Sequence, residues 1–271
     1  MITDQKLNVA VTGDGEPTLV FVHGFCCAMG DWKAQVDALS ARFECVSLDL
    51  PGHGASTIPQ ETTLAELGAA VNSAKARSSG RKFILIGHSL GCKVIREAYA
   101  QASDDVVGMV FIEGAFYPGD GDSVRNKARD AVDSAGFTAY AQRHFAEMFV
   151  DNSDPGLREN ILARIGQVNP DFGRALYLQA VGWDAIRGKE TLQSIKVPVL
   201  VLQSTYMDAE LKRRPLVPGM QTPFMQLVAD LLPNSESKVI PGCGHFVMNE
   251  APEAINTELL SFATRISRNT P

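Results

Sequence analysis

The sequence lacks the features that mark proteins of membranes or nucleic acids. No long run of lysine or arginine occurs in its 271 residues, and the formal net charge is −6. That balance disfavours nucleic acid and anionic membranes as partners. No apolar stretch approaches the roughly 18 residues of a membrane span, and MITDQKLNVAV lacks the basic and apolar regions of a signal peptide. We expect a cytoplasmic protein whose partner is a small-molecule substrate, with a homodimer left open.

Cysteine is scarce, and its placement excludes two common uses. Five cysteines are scattered along the chain without a CxxC pair. An odd, scattered set argues against a disulfide framework. We therefore expect free thiols in a reducing compartment and no metal site.

Short apolar segments recur along the chain, and each leads into a glycine-containing turn and then a helix-like segment. The segments are 18–24, 44–54, 82–91, 106–114, 197–204 and 237–245, with helices expected over 31–41, 62–79, 90–102, 222–232 and 250–267. The apolar runs are continuous, which is typical of strands buried on both faces of a parallel sheet. The pattern predicts an α/β fold with a doubly wound, mostly parallel sheet.

Residues 116–192 break this alternation because they contain no strand pattern. The segment is predicted to form several helices, separated by SAG (134–136), NSDPG (152–156) and NPD (169–171). It leaves the C-terminal end of one strand, which is where ligands bind in open α/β sheets. We therefore predict a helical cap at 116–192 over a core formed by 1–115 and 193–271.

The motif GHSLG (87–91) stands between an apolar strand and a helix. In that context a G-x-S-x-G motif indicates a nucleophile elbow, in which a sharp turn lifts the serine hydroxyl off the sheet. Glycines are required where side chains would collide with the neighbouring strand and helix. Ser89 is the candidate nucleophile.

A serine nucleophile needs a base, and His245 is the candidate among five histidines. It follows the last predicted strand in GCGHF (242–246), where small residues let the loop turn back over the sheet edge. His88, although adjacent to Ser89, is expected to project another way, and His144 lies in the predicted cap.

These motifs together resemble the α/β-hydrolase fold superfamily, and within it serine esterases and lactonases. The resemblance is carried by VFVHGF, DLPGHGAS, GHSLG, the helical insertion and GCGHF, and it spans nearly the whole chain. It implies an oxyanion hole formed by the amides of Phe25 and Leu90. It also implies a structural His23, a non-catalytic His53, and no cofactor or metal.

The acid of the triad has two candidates. The resemblance places it after the strand VPVLVLQS, where Asp208 stands one residue late for the usual G-x-x-D spacing. Some branches of the superfamily instead carry it at the end of the preceding strand, where GMVFIE ends in Glu113. The register slightly favours Glu113, and both remain open.

The predicted cap is rich in aromatic residues, and some of them should line the space above Ser89. We expect Cys26, Phe116, Tyr140 and Trp183 to contact a substrate with an apolar acyl or alcohol part. The predicted activity is hydrolysis of a carboxylic ester or lactone through an acyl-enzyme on Ser89. Alternatives are hydrolysis of a C–C bond or amide, perhydrolysis, or ligand binding without catalysis on the same scaffold.

Overall fold

A seven-stranded sheet forms the centre of the protein, in a computed structural model that describes residues 6–117, 119–207 and 213–269. The strands are β1 (Val9–Thr12), β2 (Thr18–Val22), β3 (Cys45–Leu48), β4 (Phe83–His88), β5 (Val106–Ile112), β6 (Val199–Gln203), β7 (Thr205–Met207), β8 (Arg213–Pro215) and β9 (Ser235–Val239). The order in the main sheet is β1-β3-β2-β4-β5-β6-β9, and β7 pairs with β8 separately. Only the β1–β3 pair of the main sheet is antiparallel. The predicted fold class is confirmed.

Helices cover both faces of the sheet. They are α1 (Lys33–Leu39), α2 (Leu64–Lys75), α3 (Leu90–Gln101), α4 (Gly121–Ala135), α5 (Phe137–Ala146), α6 (Pro155–Ile165), α7 (Pro170–Trp183), α8 (Lys189–Gln193), α9 (Pro223–Leu231), α10 (Val247–Glu250) and α11 (Pro252–Asn269). Within the described ranges, no helix is long and apolar enough to cross a membrane.

The strands are continuously apolar because successive side chains enter two different cores. Phe21 and Ile86 pack in the core beneath α1 and α11, whereas Val22 and Leu85 pack in the core beneath α2, α3 and α9. All four side chains are at most 1% exposed. Burial on both faces therefore fixes the sheet as the middle layer of three.

Local patterns located some elements better than others. The edge strands β1 and β9 are short and only half-buried or exposed. The sequence pattern missed β1 and placed the last strand at 237–245, later than its observed span. It also missed the β7–β8 pair, whose strands have three residues each.

Between β5 and β6, the described chain contains helices and loops without a strand. Helices α4 to α7 pack on one another, and α7 and α8 contact α2 and α3. We call residues 116–192 the insertion. Its treatment as a cap, separate from the core, stays an interpretation.

Candidate active site

Ser89 occupies a sharp turn between the end of β4 and the start of α3. Its φ of 52° lies in the left-handed region that non-glycine residues rarely adopt. A side chain at Gly91 would collide with the carbonyl oxygen of Val22, and one at Gly87 would lie 2.5 Å from the backbone of Gly91. The Ser89 N–H donates to the carbonyl of Ile112 at 2.9 Å. The two glycines therefore allow the close strand–helix approach that this turn requires.

Three non-glycine residues in the described part of the chain have positive φ: Cys26, Ser89 and Glu113, at 55°, 52° and 54°. They follow β2, β4 and β5, which are neighbours in the sheet. Backbone strain of this kind costs about 1–3 kcal/mol per residue and clusters at functional sites. The clustering marks this edge of the sheet as the candidate site.

Glu113 and His245 form a buried pair at the same edge. The Nδ1 atom of His245 lies 3.0 Å from Glu113 Oε2, and the side chains are 5% and 0% exposed. The residues are separated by 132 positions in sequence. Of the two candidate acids, Glu113 therefore contacts the candidate base. The alternative, Asp208, lies outside the described residues.

The carboxylate of Glu113 accepts further hydrogen bonds from the start of the β7–β8 pair. The backbone N–H groups of Ser204 and Thr205 donate to Oε1 at 2.5 and 3.0 Å. The Thr205 hydroxyl donates to Oε2, and Arg213 Nη1 lies 3.4 Å from the same oxygen. A buried carboxylate is tolerated when it is hydrogen-bonded in this way. The carboxylate is consequently held in one position facing His245.

The imidazole of His245 is held neutral. Burial places the pKa of His245 well below its usual value of 6.5, and electrostatic interactions with Arg213 and His144 lower the pKa further. With Nδ1 facing a carboxylate, Nδ1 carries the proton and Nε2 is the basic atom. Nε2 is buried and has no hydrogen-bond partner among the described residues.

His88 places the loop of His245 next to the turn that carries Ser89. The rings of His88 and His245 lie 4.8 Å apart, and His88 directly precedes Ser89. No hydrogen bond joins Ser89 Oγ to His245 among the described contacts. Such bonds are often long without substrate and tighten in the complex.

The turn after β2 is built by two neutral histidines. His23 accepts from the Leu50 N–H at 2.9 Å and donates through Nδ1 to the Gly24 carbonyl at 2.8 Å. His53 accepts from the Cys26 N–H at 3.3 Å. Burial lowers the pKa of both imidazoles, that of His53 to about 3. Both rings therefore act as fixed hydrogen-bonding groups of the turn, which agrees with the structural role expected for them.

This turn lies against the elbow. A Cβ built on Gly24 would be 3.2 Å from Ser89 Cβ, so the following residue, Phe25, is adjacent to the nucleophile candidate. Leu90 is the first residue of α3, where backbone N–H groups have no partner within the helix. The described hydrogen bonds include none from the amides of Phe25 or Leu90. Their donors remain available in the expected oxyanion hole.

His88 has a role that sequence reasoning missed. Its Nε2 atom lies 2.9 Å from the carbonyl oxygen of His245, so the ring donates to the backbone of the base. Burial, followed by the electrostatic interaction with the His245 ring, lowers the pKa of His88 to about 3. A neutral His88 therefore ties the elbow to the loop that carries His245. The two residues are 157 positions apart, so no local pattern could have revealed the contact.

Aromatic side chains from the insertion surround Phe25. Its ring centroid lies 6.0 Å from those of Phe137 and Tyr177 and 6.3 Å from that of Phe145. The hydroxyls of Tyr140 and Tyr177 are 2.6 Å apart. Cys26, by contrast, is 1% exposed and belongs to the core. The aromatic cluster around Phe25 is thus apolar except for one phenol pair.

Two other expected substrate contacts, Trp183 and Phe116, pack against α3 and against the residues that follow α7. Trp183 is buried, and its Nε1 donates to Glu97 of α3 at 2.7 Å. Phe116 packs beside Gly188 in the turn that follows α7. Trp183 thus contacts α3, and Phe116 contacts Gly188; we call residues 116–117 and 183–188 the stem of the insertion. Their role in substrate binding stays a prediction.

A buried ion pair joins α3 to this stem. Lys93 Nζ lies 2.6 Å from Asp184 Oδ2, with side-chain exposures of 8% and 0%. The same carboxylate oxygen accepts from the Tyr117 N–H at 3.0 Å. Asp184 therefore joins the start of the insertion, at Tyr117, to α3, the helix that begins at the elbow. No local sequence pattern indicates that Lys93 is buried.

Comparison with known proteins agrees with this architecture. The model of the Alpha/beta hydrolase family matches residues 19–258, which include the elbow, the insertion and His245. The chain belongs to the α/β hydrolase family.

Two relatives whose names state an activity are about 30% identical to this chain over the aligned residues. The chain is 32% identical over 137 residues to a 2-succinyl-6-hydroxy-2,4-cyclohexadiene-1-carboxylate synthase of Klebsiella pneumoniae, an alignment covering 51% of this chain and 53% of that protein. The alignment thus spans about half the length of that relative. The chain is also 28% identical to a pimeloyl-[acyl-carrier protein] methyl ester esterase of Nitrosomonas europaea, covering 92% of this chain and 96% of the relative.

Among solved structures, an N-acyl homoserine lactone degrading enzyme superposes with a TM-score of 0.80. That alignment covers 97% of this chain and 98% of the other, at 21% identity. At this level of identity the likeness establishes the shared fold.

Proposed function

We propose that the protein is a serine hydrolase that cleaves a carboxylic ester or lactone. His245 Nε2 accepts the proton of Ser89, and the hydroxyl oxygen attacks the substrate carbonyl. The amides of Phe25 and Leu90 stabilise the oxyanion. His245 then protonates the leaving alcohol, and water hydrolyses the acyl-enzyme by the same route.

The observation that carries this proposal is the contact between His245 Nδ1 and Glu113 Oε2 beside the strained elbow. A carboxylate at Nδ1 keeps the proton on that nitrogen and stabilises the imidazolium that forms during the reaction. The lowered pKa of His245, caused mainly by burial, keeps the base unprotonated at neutral pH. In this assignment Glu113 is the acid of the triad.

The aromatic cluster around Phe25, next to the elbow, supports an apolar acyl group as the preferred substrate part. Phe25, Phe137 and Phe145 would contact it, and the Tyr140–Tyr177 phenol pair would face any polar substituent. The relative named as a pimeloyl-[acyl-carrier protein] methyl ester esterase is consistent with an ester as the substrate.

The test is covalent labelling combined with turnover. The purified protein is treated with a fluorophosphonate and digested, and mass spectrometry locates the adduct. We expect one adduct on Ser89, steady hydrolysis of p-nitrophenyl butyrate, and loss of both in Ser89→Ala. A folded wild-type protein that gains no adduct at Ser89 would exclude the proposed mechanism.

A further inference from the structure

The loop that carries His245 is held by the insertion as well as by the core. The His245 N–H donates to the carbonyl of Met148 at 2.9 Å. Asn152 Nδ2 donates to the carbonyl of Gly242 at 3.0 Å. Met148 and Asn152 follow α5, so the base takes part of its backbone support from the segment expected to cover the substrate.

Glu250 connects these two parts. Its Oε2 atom accepts from the Gly244 N–H at 3.0 Å and from the Ser153 hydroxyl at 2.6 Å. Ser153 also closes its own loop, because its Oγ accepts from the Val150 N–H at 3.0 Å. One carboxylate oxygen therefore bridges the residue before the base and the loop between α5 and α6.

The Glu250 carboxylate is closely packed between Gly244 and the insertion. A Cβ on Gly244 would lie 2.7 Å from Glu250 Oε1 and 2.9 Å from the Met148 carbonyl oxygen. Oε1 itself is buried and unpartnered among the described residues. Because no other described group replaces these bonds, loss of the carboxylate leaves the Gly244 N–H without its acceptor.

The opposite side of the loop is fixed independently of the insertion. Gln35 Nε2 donates to the Met248 carbonyl at 3.0 Å, and Asn249 Nδ2 donates to the Asp31 carbonyl at 3.1 Å. The segment after His245 is thus anchored to the core. Gly244, before it, is held on its carbonyl side by the Ser204 hydroxyl at 2.7 Å and on its N–H side by Glu250, which links it to the insertion.

We propose that Glu250 is a positioning residue that links the α5–α6 loop of the insertion to the placement of His245. Movement of that loop against the core shifts Gly244 and therefore the imidazole relative to Ser89. Misplacement of a catalytic group by about 1 Å can lower a rate by about 100-fold. The inference rests on the proposed function, since it assigns His245 the role of base.

The test compares Glu250→Ala with Glu250→Gln, using Glu253→Gln as the matched control. Gln retains one oxygen that can accept both bonds, whereas Glu253 is exposed on the first turn of α11. For ester hydrolysis, we expect Glu250→Ala to lower kcat by about 10–100-fold with KM within about threefold. We expect Glu250→Gln to recover most of this loss and Glu253→Gln to match wild type.

Ser153→Ala supplies a second variant in a half-buried loop, should Glu250→Ala fold poorly. Ser153→Ala is expected to lower kcat less than Glu250→Ala does. Adding Ser153→Ala to Glu250→Ala should cause no further loss of kcat, because both changes remove the contact between Ser153 and Glu250. Unchanged kcat in a folded Glu250→Ala protein, or in Ser153→Ala when Glu250→Ala does not fold, would overturn the proposal.

A measurement without turnover separates this inference from the proposed function. The downfield proton resonance of His245 Nδ1–H reports its hydrogen bond to Glu113. We expect this resonance to broaden or move in Glu250→Ala and to stay in place in Glu250→Gln and Glu253→Gln. A resonance that is identical in all variants contradicts the link, whether or not the wild-type protein hydrolyses esters.

Discussion

Mild acid should destabilise this protein because its histidines are buried in the neutral form. Burial, as the largest cause, lowers the pKa of all five from the usual 6.5: to about 3 for His53 and His88, to about 4 for His144, and in the same direction for His23 and His245. Below pH 6.5 the unfolded chain therefore binds protons that the folded protein excludes. The free energy of unfolding must fall as the pH decreases.

The size of the effect follows from His53 and His88 alone. Each pKa unit corresponds to about 1.4 kcal/mol, and pH 5 lies 1.5 units below the unfolded value of 6.5 and well above the folded values of about 3. Each histidine then contributes a loss of about 2 kcal/mol, and the pair about 4 kcal/mol. The other three act in the same direction. Since a typical domain is stable by about 5–15 kcal/mol, much of the stability should be lost by pH 5.

The assay is urea denaturation at pH 7 and pH 5, with His53→Gln as a comparison. The Gln oxygen can replace Nε2 of His53 as acceptor for the Cys26 N–H without titrating. The variant should therefore lose about 2 kcal/mol less than wild type between the two pH values. Equal free energies of unfolding at pH 7 and pH 5 in the wild type would refute the assignment of buried neutral histidines.

Two further predictions concern the elbow and the stem of the insertion. Gly91→Ala should destabilise the protein by about 1–3 kcal/mol and reduce activity, because the new methyl group meets the backbone of β2. Gly30→Ala, which has open space around it, should change neither stability nor activity. Thermal melts and ester turnover measure the difference, and equal melting temperatures for the two variants would contradict the packing argument. Lys93→Met should lower the free energy of unfolding by about 3–5 kcal/mol, because it leaves the Asp184 carboxylate buried without its ion-pair partner. Adding Asp184→Asn to Lys93→Met should recover part of that loss. A Lys93→Met protein that is as stable as wild type in urea denaturation would contradict this prediction.

Local patterns were sufficient for the fold and for part of the site. The main parallel strands are continuously apolar because both faces of the sheet are covered, and this property is visible within a few residues. The elbow was likewise recognisable from GHSLG between a strand and a helix, and His245 from its position after the last strand.

The remaining features of the site depend on contacts between distant segments. Glu113 and Asp208 could not be separated from the sequence, because the choice depends on which strand end faces the imidazole in three dimensions. The buried Lys93 and the contact between His88 and the His245 carbonyl had no local signature for the same reason. Glu250 begins the helix expected over 250–267 and has no local signature of its contact with Ser153, 97 positions away.

The central claim is that Ser89, His245 and Glu113 act together in ester hydrolysis. The most direct measurement is kcat for p-nitrophenyl butyrate in Glu113→Gln and Asp208→Asn, each checked for folding by thermal melt. We predict that Glu113→Gln lowers kcat by orders of magnitude, because the carboxylate that holds the tautomer of His245 is gone, while Asp208→Asn stays close to wild type. A folded Glu113→Gln protein with near-normal kcat, together with an inactive Asp208→Asn protein, would contradict the account.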